Sequence, residues 1–349
     1  MASLAVKYRP LRFEDVCAQG STIKILQKQL ELNSFTNCYL FAGPSGTGKT
    51  TLARIFGNLI NKNRGQLIEI DGASNNGVEA VRAIIDSANE RAIDSEYKIF
   101  VIDECHMITT AGWNAFLKCI EEPPKYTIFM FCTTNPEKIP STILNRVMRF
   151  NLTKINLDLI KQRLLYICSQ EGYLNYIEAC DFISKLSSGG MRDAISLLEK
   201  AANYSPDLSI NNVLECLGNF SYDSFFDLTN AFVDKDESTV ITLLENFYNS
   251  GKDLKLFIEQ YLEFTLDLTK YCLFKDTSCV KIPLSLEAVK MSNGEPSTRC
   301  MKYVTGFDGS LNYFNSLVEN ILKIKNTIRY DVNSKTTIEA MCIAICRGN

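Results

Sequence analysis

The chain has little of what metal and disulfide scaffolds are built from. One of its 349 residues is histidine, His106, and its thirteen cysteines, from Cys17 to Cys346, stand singly with no C-x-x-C. Ligands so spaced give no reason to expect zinc, and scattered thiols fit a reducing compartment. "MASLAVKYRPLRF" shows no charged-then-apolar leader, and no apolar run approaches the ~20 residues that cross a bilayer. A cytoplasmic location with no membrane partner is the expectation, or the host-cell cytoplasm if the source is viral. A dominant charge is also lacking. Net charge is −3; residues 1–151 hold 17 Lys and Arg against 15 Asp and Glu, and residues 152–349 hold 20 against 25. No basic field announces nucleic acid, so a DNA contact must be local or built up by several subunits.

What is present is an ordinary globular composition, 46% hydrophobic and 22% charged, at a length that suggests two or three domains. The first 150 residues alternate short apolar runs with helical patterns, the signature of βαβ units and a doubly wound α/β domain on a parallel sheet. The strands expected are Cys38–Gly43, Gln66–Asp71, Lys98–Asp103, Thr127–Thr134 and Arg146–Leu152. Among the intervening helices, "GVEAVRAIIDSANERA" puts Val78, Val81, Ile84, Ile85 and Ala88 on one face. After Leu152 the pattern turns helical, with breaks at Gly172 and Gly189-Gly190 and a turn-rich interruption around residues 281–300.

The most specific signal is "GPSGTGKT", Gly43 to Thr50, which follows a strand and opens a helix as G-x-x-x-x-G-K-[ST] requires. In such a loop backbone N–H groups curl around a β-phosphate, Lys49 reaches the β/γ oxygens and the Thr50 hydroxyl serves Mg2+. Gly43, Pro44, Ser45, Gly46, Thr47, Gly48, Lys49, Thr50 and Thr51 therefore form the candidate phosphate site. "KIFVIDECH" places Asp103 and Glu104 at the carboxyl end of a second strand, where ligands bind in open α/β sheets. Asp103 suits the Mg2+ shell and Glu104 suits polarising the attacking water; the alternative is a merely capped strand end. His106 reads as structural or as a relay, not as a ligand. The guanine-reading [NT]-K-x-D is absent, which favours ATP.

Seven stretches in order carry a family resemblance: "KYRPLRFEDVCAQ", "GPSGTGKTTLAR", "EIDGASNNGVEAVR", "VIDECHMIT", "FLKCIEEPP", "CTTNPEKIPSTILNRV" and "GGMRDAISLLEKA". Together they resemble the AAA+ clamp-loader ATPases, and among these the gamma/tau subunits of bacterial DNA polymerase III, over about residues 5–205. The resemblance implies an AAA+ P-loop domain at residues 1–152, a small helical lid at 153–218 and an all-helical oligomerisation collar at 219–349. It implies an ATP hydrolase that opens a sliding clamp and places it on primer-template DNA, working with other loader subunits in a homo- or hetero-oligomer, a pentamer. Tyr8, Arg9 and Pro10 would line the adenine side; Thr134 looks like a sensor of the γ-phosphate and Arg192 like a second sensor reaching from the lid. DNA would be held by amides and polar side chains at helix starts such as "SNNGVEAVR".

Arg146 is the awkward residue of this reading, since "STILNRVMRF" offers it no acid. By resemblance it is an arginine finger acting in trans, in the ATP site of an adjacent subunit; the alternative is an ion pair with an acid elsewhere in its own domain. Arg149, three residues on, is expected to pack or snorkel within the strand. Departures from the family are the short "NKNRGQ", where a four-cysteine zinc insertion is usual, and "NRV" in place of Ser-Arg-Cys. C-terminal extensions of the longer family form are not expected within this chain. Two rivals stay open: another AAA+ DNA motor of the branch-migration helicase type, and a non-hydrolysing nucleotide-binding scaffold subunit.

Overall fold

The protein is represented by a computed structural model that describes residues 3–65, 67–218, 220, 222–251, 253–274, 288–290, 296–298, 310–329, 331 and 334–348. It falls into two compact units, one of residues 1–171 and 183–199, the other of residues 172–182 and 200–349.

The first unit is built on five parallel strands: β1 (Cys38–Ala42), β2 (Ile68–Asp71), β3 (Lys98–Asp103), β4 (Thr127–Thr133) and β5 (Met148–Asn151), in the order β2-β3-β4-β1-β5. β1 and β4 are buried at every position, as central strands covered on both faces must be. Alternate side chains serve opposite faces. Tyr39 and Phe41 pack with Phe56 of α3 (Lys49–Ile60) and with Leu26 of α2 (Gly20–Leu32). Leu40, Phe100 and Phe129 pack with Val81 of α4 (Val78–Asn89) and Trp113 and Phe116 of α5 (Thr110–Glu121). Each such apolar side chain, fully buried, contributes roughly 1.5–3 kcal/mol. Pairing of Ala42 with Thr133 and of Asp71 with Asp103 lines up the carboxyl ends of four strands on one edge.

Several boundaries differ from the sequence reading: β1 ends at Ala42 and not Gly43, and β5 ends at Asn151 and not Leu152. β2 begins at Ile68, and Gln66 lies outside the described residues. β5 begins at Met148, not Arg146. The short helix α6 (Ser141–Leu144) keeps turning, so the Arg146 N–H goes to the Ile143 carbonyl (2.9 Å) and is withheld from the sheet ladder. Thr134 likewise lies one residue past β4. Arg149 is within β5 and exposed, its Nε donating to Asn151 Oδ1 (2.7 Å).

The first unit is completed by α1 (Leu4–Lys7), by α7 (Leu157–Glu171) and by parts of α8 (Tyr176–Leu186) and α9 (Met191–Tyr204). The second unit contains α10 (Ile210–Cys216), α11 (Tyr222–Val233), α12 (Glu237–Asn249), α13 (Leu254–Phe274), α14 (Ser310–Ile328) and α15 (Ser334–Arg347). Its core is aromatic, with Phe220, Phe225, Phe257, Tyr261 and Phe314 buried together. The turn-rich stretch expected around residues 281–300 lies outside the described residues, apart from the antiparallel pair β6 (Ala288–Lys290) and β7 (Pro296–Thr298). Among the described residues no helix is long and apolar enough to cross a membrane.

Candidate active site

β1 runs straight into the glycine-rich loop, which turns back to start α3. Gly46 (φ +71°) and Gly48 (φ +98°) take left-handed backbone conformations that a side chain would strain, and Gly48 caps α3 at its N-terminus. Thr47 Oγ1 braces the loop by donating to the Pro44 carbonyl (2.8 Å). Lys49, only 6% exposed, donates from Nζ to the carbonyls of Gly43 (3.0 Å) and Pro44 (2.9 Å). Burial pushes the Lys49 ammonium down from its ordinary pKa, while nearby Glu104 opposes that shift.

On the neighbouring strand end, Thr50 Oγ1 donates to Asp103 Oδ2 (2.8 Å), so a hydroxyl and a carboxylate converge at the mouth of the loop. These are hard oxygen donors of the kind Mg2+ takes, and the fit to that ion is good. Glu104 follows in a left-handed conformation (φ 44°, ψ 41°), which turns its side chain away from the line of Asp103. Its Oε2 receives Thr134 Oγ1 (3.1 Å) and lies 3.2 Å from His106 Nδ1.

These groups open on a cavity of about 610 Å3. Of the residues singled out in the sequence, Tyr8, Arg9, Pro10, Ser45 to Thr51, Asp103, Glu104 and Arg192 all line it. Gly43 and Pro44 meet it through the Lys49 bonds, and Thr134 through Glu104. One part of the lining is cationic: Arg9, Arg54 and Arg192 join Lys49, and burial followed by the Arg54 charge lowers the Arg9 pKa from its ordinary value. The other part is apolar, with Val16, Ile155, Met191 and Ile195. A cavity lined by both cationic and apolar side chains suits a nucleoside triphosphate, with its charged phosphates and its flat base.

The helix that carries Arg192 is locked to the loop. Met191 N donates to the Gly46 carbonyl (3.0 Å), and a Cβ on Gly46 would come within 3.0 Å of Gly190 Cα. The N-terminal segment is strapped down as well: Arg9 Nε donates to Thr51 Oγ1 (3.3 Å), Arg163 to the Tyr8 carbonyl (2.9 Å), and Lys7 and the Tyr8 hydroxyl both to Glu171.

Arg146 is not among the residues that line this cavity. Its side chain is 39% exposed, and the guanidinium donates to the Thr142 carbonyl (2.6 Å) and pairs with Glu121 at the end of α5 (2.7 Å).

Sequence reasoning missed Gln19, Arg54 and Arg163. Gln19, buried and in a left-handed conformation, donates to the Thr153 carbonyl (2.8 Å) and receives the Thr153 N–H (3.3 Å). Its signal was its place at the end of "KYRPLRFEDVCAQ". The eleven cysteines among the described residues are free, and burial pushes Cys105 and Cys132, behind the site, well above the ordinary thiol pKa, so both stay protonated. Among the described residues no cluster of three or more metal-ligating side chains is present.

Comparison with known proteins points one way. The family "DNA polymerase III, delta subunit" matches residues 61–156, and "DNA polymerase III subunits gamma and tau domain III" matches residues 208–283. The chain is similar to the DNA polymerase III subunit tau of Bacillus subtilis, 36% identical over 76% of this chain and 51% of that protein. It is also similar to the DNA polymerase III subunit gamma of Buchnera aphidicola, 32% identical over 75% of this chain and 78% of that protein. The chain thus spans about half the length of tau and about three quarters of that gamma subunit. In fold it is similar to the Thermotoga maritima RuvB Holliday junction branch migration motor, with a TM-score of 0.52 over 86% of this chain and 99% of that one. At 17% identity that likeness is one of fold alone.

Proposed function

This chain belongs to the family of DNA polymerase III gamma and tau subunits, and on that footing we propose that it is an ATPase subunit of a sliding-clamp loader. In this reading ATP binding and hydrolysis open the clamp and place it on primer-template DNA during replication. The observation that carries it is the convergence of Lys49, Thr50, Asp103 and Glu104 on one cavity while Arg146 stands outside it.

The chemistry follows from the residues. Loop N–H groups and Lys49 hold the β- and γ-phosphates, Lys49 exchanging its two loop carbonyls for phosphate oxygens. Thr50 and Asp103 hold Mg2+, which when bound neutralises charge on the phosphates. Glu104 orients the attacking water and accepts its proton. Thr134 reports the γ-phosphate to Glu104, and Arg192 donates to the phosphates from the start of α9. Tyr8, Arg9 and Pro10 border the base. Arg146 of one subunit completes the site of the next, where a planar guanidinium stabilises charge that develops in the transition state.

The same proposal takes in the division at 152 and 218 into ATPase, lid and collar segments, the other loader subunits, a pentameric arrangement and a cytoplasmic place of work. The scaffold alternative is disfavoured by a complete set of hydrolytic side chains. The branch-migration alternative gains nothing from the RuvB likeness, which concerns the fold. The test is ATP hydrolysis by the assembled loader with primed DNA, with and without candidate clamps. Stimulation that depends on a clamp is expected; stimulation by DNA that ignores every clamp would favour the motor.

A further inference from the structure

Several cations of the cavity are answered within the chain. Lys49 donates to two loop carbonyls, Arg54 is paired with Glu69, and Arg163 donates to the Tyr8 carbonyl. Arg9 is answered only in part. Its Nε donates to Thr51 Oγ1 (3.3 Å), a neutral hydroxyl, and among the described residues its guanidinium has no other hydrogen bond and no ion pair. The side chain is half-buried and lines the cavity. Burial, and after it the Arg54 charge, lower its pKa, while Glu69 and Asp103 act the other way. A half-buried cation beside a second cation, with both terminal nitrogens uncommitted, is unfavourable until an anion joins it.

The place of that anion follows from what holds Arg9. Its backbone stands between Tyr8, tied through its carbonyl to Arg163 and through its hydroxyl to Glu171, and Pro10, which restricts the preceding residue to extended conformations. Its side chain is seated on Thr51, in the first turn of α3. The Leu52 N–H is already committed to the Gly48 carbonyl (2.8 Å), so the amides at this helix start that are open to a ligand end at Thr51. In the proposed site the γ- and β-phosphates lie at Lys49, Thr50 and Asp103, and the base lies by Tyr8 and Pro10. The α-phosphate is the group between them, and Arg9 is the cation between them: its backbone belongs to the base side, and its guanidinium reaches the last open amide.

We infer that Arg9 binds the α-phosphate: seated on Thr51 through Nε, its guanidinium donates from a terminal nitrogen to a non-bridging α-oxygen. This contact rests on the reading of the cavity as an ATP site and adds a residue for the one phosphate that no side chain has been given. ATP and ADP share the α-phosphate, so Arg9 holds the nucleotide equally before and after hydrolysis. A planar guanidinium with two free nitrogens suits that task, because phosphate oxygens accept charge-assisted hydrogen bonds.

The test is equilibrium nucleotide binding by the full chain assembled with its partner subunits, in the presence of Mg2+. The probes are ADP, β,γ-imido-ATP, its guanine counterpart, and the two diastereomers of β,γ-imido-ATP that carry sulfur on the α-phosphate. Arg9→Ala removes the side chain, and Arg9→Gln removes the charge but keeps an N–H for Thr51, so the second variant still reads the contact if the first fails to fold. Each variant is expected to raise the Kd of ADP and of β,γ-imido-ATP by the same factor, about tenfold or more, the effect of one hydrogen bond to a charged group. The diastereomer whose sulfur replaces the contacted oxygen should bind the parent less tightly than the other and lose least on substitution, since residue and oxygen then act on one bond. Equal losses for the two diastereomers, a loss confined to the triphosphate, or a loss seen only as a changed preference between adenine and guanine would overturn the inference alone. A parent chain that binds neither ADP nor β,γ-imido-ATP would overturn both it and the reading it rests on.

Discussion

Glu171, the last residue of α7, holds the N-terminal segment in place beside the cavity. It receives Lys7 Nζ (2.6 Å) and the Tyr8 hydroxyl, and these bonds, Lys7 first, hold its carboxyl below the ordinary value of 4.5. A carboxyl whose folded pKa is depressed adds stability that is present above its unfolded pKa and is lost as pH falls through the folded one. The prediction is that Glu171→Gln lowers the urea midpoint at pH 7, and that parent and variant converge as pH drops below about 4.5. A gap that persists unchanged into acid would mean the strap is not ionic. Other residue-scale facts were legible in the sequence only in part. The missing partner of Arg146 is Glu121, within "FLKCIEEPP", a stretch the sequence reading already singled out. The pairing itself could not be read, because it depends on how α5 and α6 pack against each other on one face of the sheet. The left-handed conformation of Glu104 is equally invisible in "DECH", since nothing about a glutamate announces positive φ.

At the scale of elements, the phosphate loop and the start of α9 are fitted to each other. Gly46 supplies the carbonyl that Met191 N–H reaches, and it has neither the φ nor the room for a side chain, with Gly190 Cα 3.0 Å from where a Cβ would stand. Gly48 is an internal control: it has a positive φ but open space around it. Gly48→Ala is expected to cost only the strain of a left-handed alanine, roughly 1–2 kcal/mol. Gly46→Ala should cost that and more, because backbone must also move, and urea unfolding measures both. A Gly46→Ala chain as stable as Gly48→Ala would mean the contact between loop and helix carries no energy. The glycines of "GPSGTGKT" and "GGMRDA" were legible as loop residues, but their mutual approach was not, since it is set by tertiary packing. Strand and helix identity followed from periodicity, whereas the start of β5 did not. The apolar pattern runs back to Val147, and only the hydrogen bonds of α6 show where the turn ends.

For the molecule as a whole, the cavity is lined by Ser45 to Thr51, Asp103 and Glu104 but not by Arg146, which is bound to Glu121 by an exposed pair. An exposed ion pair contributes about 0–1 kcal/mol, so it offers little resistance to an arginine that must serve a neighbour. The parallel-sheet architecture was legible because each βαβ unit carries its own pattern and motif. The second unit was legible only as helices: its aromatic core, around Phe257, Tyr261 and Phe314, follows generic burial and encodes no chemistry. What the whole-molecule reading claims is that an active site is shared between copies. Glu104→Gln and Arg146→Ala are each predicted to abolish DNA-stimulated ATP hydrolysis in the assembled loader. The most direct measurement is the ATPase rate of loaders reconstituted from an equal mixture of the two variants, with assembly verified. Recovery of a fraction of parent activity is predicted, because some interfaces then join an intact Glu104 to an intact neighbouring Arg146, and a fully assembled mixture that stays inactive would contradict it.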